Sequence, residues 1–169
     1  MKADKILVPL DGSDVAEAAI APALQMASSG SSLLILMRAA SARTMPWTDV
    51  IDAQILAVRE AEDYLDTVKK RLEQKGVGRV ETHVWYGPPA PAIVEAGEKA
   101  DLIVMSTHGR SGLGRLIFGS VAESVLRGTR VPILLVRPTG APVDPPDGRD
   151  DVRPAQKSGS TTTRAEARR

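Results

Sequence analysis

The sequence predicts a doubly wound α/β sheet, five parallel strands with helices on both faces. Three observations carry this reading. Residues 5–10, 33–37, 102–105 and 132–137 are apolar at nearly every position, as strands buried on both faces must be. Between such runs lie segments whose apolar residues recur at steps of three and four. Turn formers, Asp11-Gly12-Ser13, Ser28-Ser29-Gly30 and Gly87-Pro88-Pro89, mark the junctions. The resulting alternation of strand and helix implies right-handed crossovers and a sheet covered on both sides.

Taken in order, Lys5 to Leu10 (KILVPL) is the first strand. Asp14, followed by Glu17, reads as an N-cap with its N3 partner, and Ile20, Ala23, Leu24 and Ala27 form the apolar stripe of a helix running to about Ser28. Leu33 to Met37 is the second strand. After a polar loop containing Pro46 and Trp47, Ile51, Ile55, Val58, Ala61, Leu65, Val68 and Leu72 define a long helix over about Val50–Lys75, closed by Gly76. Val80 to Tyr86 alternates as a third strand. Gly87-Pro88-Pro89-Ala90-Pro91 opens a helix with proline in its first turn. Leu102 to Met105 is the fourth strand, a helix ends near Arg127-Gly128, and Pro132 to Arg137 is the fifth strand.

The 169 residues suffice for one domain with a real core. Residues 1–139 hold 16 basic and 16 acidic side chains, and the whole chain has one Phe, two Trp and two Tyr. A neutral domain poor in stacking aromatics argues against nucleic acid as partner. The absence of cysteine excludes disulfides, thiolate metal sites and thiol nucleophiles, and with no long apolar run or signal-like segment the expected location is cytoplasmic, away from membranes. Residues 140–169 are rich in Pro, Gly, Ser, Thr and charge, too poor in apolar surface to offset the entropy of ordering, and are expected to be a disordered tail, either inert or a loose tether.

Ser106 to Glu123 (STHGRSGLGRLIFGSVAE) carries the functional signal. A strand, a glycine-rich loop and a helix N-terminus together present unpaired backbone N–H groups to an anion. The loop is not a P-loop: Arg115 stands at the lysine position and Leu116 at the magnesium-binding hydroxyl. Nor does it hold a dinucleotide fingerprint. Ligands of doubly wound sheets bind at the carboxyl ends of the strands, where strand order reverses. In the order 3-2-1-4-5 the first and fourth strands flank that crevice, and Asp11-Gly12-Ser13 faces the Ser106 loop; another order separates them.

Ser106-Thr107-His108-Gly109, then nine residues, then Gly119-Ser120 resembles the G-x-x-G, nine residues, G-[ST] motif of the ATP-binding universal stress proteins. The resemblance spans residues 4–137, with KILVPLDGS like the family's first strand and turn and residues 100–137 like its C-terminal signature. It implies a Rossmann-like sheet (adenine nucleotide alpha hydrolase-like) in the order 3-2-1-4-5. It also implies a homodimer through Ile133 to Val136, and ATP, with or without Mg²⁺, in the crevice. By position, Asp11 and Ala39 would lie by the adenosine, with Pro9 lining the base pocket. Met105, Ser106 and Gly109 would form the first part of the phosphate loop, and Gly119, Ser120 and Val121 the second. The implied function is a nucleotide-binding regulatory module of stress response, handing its signal to a protein partner with little or no catalysis.

The departure from the motif is Ser106, where a glycine is expected. Its side chain either weakens nucleotide binding, to the point of leaving a dimeric interaction protein without a nucleotide, or donates its hydroxyl to a phosphate. Ser120 doubles as the start of a capping box with Glu123. Asp11 suits a turn as well as a ribose or adenine contact. Arg110 and Arg115 are either solvated or neutralise phosphates. His83 and His108 have no neighbours at metal-ligand spacing, and His108 is expected to shape the loop. Ser106, His108 and Asp11 lack the G-x-S-x-G elbow of a hydrolase. No general base can be assigned to the phosphates, so any ATPase or phosphotransfer turnover would be weak.

Overall fold

The computed structural model describes residues 2–28, 31–42, 49–107 and 119–137. Its elements are β1 (Lys5–Pro9), α1 (Asp14–Glu17), α2 (Ile20–Met26), β2 (Leu33–Ala40), α3 (Val50–Gln74), β3 (Val80–Tyr86), α4 (Pro89–Gly97), β4 (Leu102–Ser106), α5 (Ser120–Gly128) and β5 (Ile133–Val136). All strand pairings are parallel, in the order β3-β2-β1-β4-β5. This is the expected doubly wound sheet, with β1 and β4 side by side at its centre.

Alternation along the central strands divides the core into two layers. Ile6 and Val8 of β1, with Leu102 and Val104 of β4, face α1, α2 and α3, where they meet Ala16, Ala23, Leu65, Val68 and Leu72. Leu7, Ile103 and Met105 face α4 and α5, where they meet Ala92, Ile93, Ala122 and Val125. Because both faces are covered, β1 and β4 need apolar residues at consecutive positions, which is why their sequences do not alternate.

Three local expectations change. The first helix is two: α1 stops at Glu17 and α2 starts at Ile20. Pro22 explains the break, since within a continuous helix it would lack the N–H for the Ala18 carbonyl and its ring would strike that carbonyl. The N-cap is Ser13, not Asp14; the Ser13 hydroxyl accepts from the Ala16 N–H at 3.2 Å. Finally, β2 runs three residues past Met37 to Ala40, whose carbonyl accepts from the Gly87 N–H at 2.9 Å.

The long helix α3 begins and ends where expected, and Gly76 follows it at φ +84°. Its apolar stripe is buried only from Ala61 onwards; Ile51 remains 65% exposed and Ile55 is also exposed. The N-terminal half of α3 projects past the sheet instead of lying on it. No helix among the described residues is long and apolar enough to cross a membrane.

Candidate nucleotide-binding site

At the carboxyl ends of β1, β2 and β4 the projecting half of α3 and the N-termini of α4 and α5 enclose a cavity of about 820 Å³. That is the size range of small-molecule and cofactor sites. Pro9, Leu10 and Asp11 come from the end of β1, and Arg38 to Ala42 from the end of β2 and beyond. Ala53, Leu56, Ala57 and Glu60 of α3 form one wall, and Pro89 and Ile93 of α4 part of the other. Met105, Ser106 and Thr107, with Gly119 to Ala122, form the far end.

Of the residues expected at a nucleotide, Pro9, Asp11, Ala39, Met105, Ser106, Gly119, Ser120 and Val121 all line this cavity. Gly109 lies outside the described residues, as do Pro46, Trp47, His108, Arg110, Arg115 and residues 140–169.

Asp11 is held by the turn after β1. Its Oδ1 accepts from the Ser13 N–H at 3.0 Å and from the Ser13 hydroxyl at 2.6 Å. Ser13 thus donates to Asp11 while capping α1, so the carboxylate's position is tied to the helix start. The turn reading of Asp11 therefore holds, and the same residue lines the cavity.

The far end is a helix N-terminus. Gly119, at φ −64° and ψ 152°, is the N-cap of α5, and its N–H donates to the Thr107 carbonyl at 2.6 Å. The Thr107 N–H in turn donates to the Val136 carbonyl at 2.9 Å. These bonds tie Gly119 to Thr107 and Thr107 to β5. The capping box is not formed: Ser120 is the first residue inside the helix, and no side chain caps it. Glu123 pairs instead with Arg127, at 2.9 Å. The first-turn N–H groups of α5, which have no partner inside the helix, are the donors a phosphate would use.

Sequence reasoning missed Arg38. Residue 38 continues the row of Leu34 and Leu36, so its side chain turns under α3. There its Nη2 donates to Glu60 Oε1 at 3.3 Å, and the guanidinium lies 5.0 Å from the centre of the Tyr64 ring. Tyr64 donates to Glu17 Oε1 at 2.9 Å, and Glu17 Oε2 pairs with Arg71. Burial, and then the Glu17 carboxylate, push the Tyr64 phenol above the usual tyrosine range. The signal was present: one arginine in phase with two buried leucines. Stopping the strand at Met37 hid it.

The chain matches the model of the Universal stress protein family over residues 2–137. It belongs to that family. A universal stress protein of Methanocaldococcus jannaschii is 35% identical over 142 residues, which are 79% of this chain and 81% of the relative. Among solved structures, a universal stress protein from Lactobacillus plantarum shares the fold at TM-score 0.68 and 24% identity, over 81% of this chain and 99% of that one. A universal stress protein in complex with cAMP gives TM-score 0.61 at 27% identity, over 80% of this chain and 98% of the other.

In this universal stress protein, Ser106 stands where the ATP-binding motif has its first glycine. It is the last residue of β4, paired with Val136 and 8% exposed. A strand position is extended backbone, which any residue adopts, so a positive φ is no reason to need glycine here. What remains of the departure is the volume of one hydroxymethyl group at the cavity wall. Among the described residues no group of three metal-ligating side chains could hold a metal ion. His83 is on the edge strand β3, 3.7 Å from Glu81 and away from the cavity.

Proposed function

We propose that this universal stress protein is an ATP-binding regulatory module. It acts in stress response as a cytoplasmic homodimer, passes its signal to a protein partner and has little or no catalytic turnover. One observation carries the reading: eight residues expected at an adenine nucleotide, drawn from β1, β2, β4 and α5, line a single cavity of nucleotide size. The relative in complex with cAMP supports an adenine nucleotide as the ligand class.

Under this reading the base and ribose lie towards Pro9, Asp11 and Ala39, between the apolar side chains of α3 and α4. The phosphates lie towards Ser106 and the N-terminus of α5, where backbone donors and the helix dipole favour negative charge. A Mg²⁺ ion would arrive with the phosphates. Among the described residues no side chain of the cavity is placed as general base against them, and that is the basis for expecting a sensor and not an ATPase.

The homodimer would form through β5. As an edge strand it leaves backbone donors and acceptors unpaired on one side, and Ile133, Leu134, Leu135 and Val136 are each half-buried. A second copy would extend the sheet and cover them.

The test is mass spectrometry of nucleotide released from the purified protein, with calorimetric titration of ATP in Mg²⁺. Bound adenine nucleotide, or saturable heat, is expected. No bound nucleotide and no heat at millimolar ATP would leave a dimeric interaction protein whose pocket Ser106 has closed.

A further inference from the structure

The end of the cavity formed by β1 and β2 carries charges besides Asp11 that the proposed function leaves without a task. Asp11, Arg38 and Glu60 all line it. The Arg38 side chain is 12% exposed, while that of Glu60 is 68% exposed. Nη2 donates to Glu60 Oε1 at 3.3 Å and Nη1 to the Glu60 carbonyl at 3.5 Å. The guanidinium lies over the ring of Tyr64 and beside Gly12, where an added Cβ would come within 3.4 Å of it. A guanidinium has five N–H groups, so donors remain after both bonds to Glu60.

This places a group that only donates beside groups that only accept. A sugar hydroxyl needs both, since its hydrogen is donated and its oxygen accepts. The chemistry suits a neutral diol and disfavours a missing hydroxyl.

We propose that Arg38 and Glu60 are specificity-determining residues that read the free 2′,3′-diol of a bound ribose. The site then prefers ATP to 2′-deoxy-ATP, which lacks one hydroxyl. It also prefers ATP to 3′-deoxy-ATP, which lacks the other. The inference rests on the nucleotide reading above and adds to it which ribose the site accepts.

The experiment titrates the native chain with ATP, 2′-deoxy-ATP and 3′-deoxy-ATP in a calorimeter, then repeats the series with Arg38→Met and Glu60→Gln. ATP is expected to bind about tenfold more tightly than either competitor, the worth of one hydrogen bond to a charged group. In each variant that ratio should fall to about one. Loss of the ratio, unlike a general loss of affinity, is not what a merely damaged fold produces. Equal native affinities for ATP and either competitor overturn the inference and leave the nucleotide reading standing. No binding of any of the three overturns both. A native ratio kept in a folded variant overturns that residue's role, and Glu60→Gln, on an exposed side chain, decides the matter if Arg38→Met fails to fold.

Discussion

Arg38 closes the space beside Gly12: a Cβ added to Gly12 would meet the guanidinium carbon at 3.4 Å. The same glycine has φ +86°, in the left-handed region. Gly12→Ala is therefore opposed by its backbone, while the arginine meets the added methyl at ordinary contact distance. It should destabilise the fold by about 1–2 kcal/mol, read from urea denaturation midpoints. Loss of stability below about 0.5 kcal/mol would mean that the turn relaxes freely.

Tyr64 is placed to make the protein alkali-sensitive. Its phenol is half-buried, donates to Glu17 and titrates above the usual tyrosine range. Below about pH 10 both folded and unfolded chains keep the proton, and the stabilisation is fully present. Above that pH the unfolded chain releases the proton while the native chain holds it, so the unfolded state binds fewer protons and stability falls with rising pH. Tyr64→Phe should cost about 1 kcal/mol at neutral pH and flatten the alkaline decline. Urea titrations at neutral pH and at about pH 10.5 measure both effects. A variant that keeps the full alkaline decline would place its origin elsewhere.

Gly97, the last residue of α4, has no room for a side chain. A Cβ there would lie 2.7 Å from Cδ1 of Ile103, which is fully buried in the layer under α4 and α5. Gly97→Ala gains up to about 1 kcal/mol of helix propensity but overpacks by about 1–3 kcal/mol. A net loss of about 1 kcal/mol is expected in thermal or urea unfolding. Ile103→Val removes the clashing atom, so the double variant should lose less than the two single variants added together. Strict additivity would show that the two sites do not touch in solution.

Gly119 permits a clean test of the phosphate end. Its φ of −64° and ψ of 152° suit a branched residue, so Gly119→Val should fold normally while filling the cavity wall beside the start of α5. ATP affinity should drop by about tenfold or more with little change in melting temperature. Unchanged affinity would move the phosphates away from α5.

A charge on β5 tests the dimer. Leu135, opposite Met105 in the sheet, is half-buried on the edge strand. Leu135→Lys should give a monomer in sedimentation, with circular dichroism reporting whether the fold survives. A folded variant that still sediments as a dimer would put the interface on another surface.

The sheet was legible because each central strand declares itself: KILVPL and LIVM are apolar at successive positions, and only a strand covered on both faces needs that. Strand order was legible only through the family resemblance, since pairing of residues 6 and 102 leaves no mark on local composition. Pro22 was readable and was passed over in favour of a regular apolar stripe. The Ser120 cap failed because a capping box and a helix that starts one residue earlier have the same sequence. Arg38 and Glu60 illustrate the harder limit. A charged residue under a helix becomes part of a site only through what packs around it, here Gly12, Tyr64 and α3.

The strand order has a consequence in time. β1 is made first but sits at the centre of the sheet, with one flank waiting for β4. Asp11 and Ser120, at opposite ends of the cavity, are separated by most of the domain's chain. At ribosomal speeds that interval is on the order of ten seconds. Through it the nascent chain carries an unpaired apolar strand edge, exposed to chaperones and to other nascent chains, and the cavity cannot exist until α5 has emerged. A ligand held there would mark a completed domain, and a chain cut short before α5 would have no site to offer.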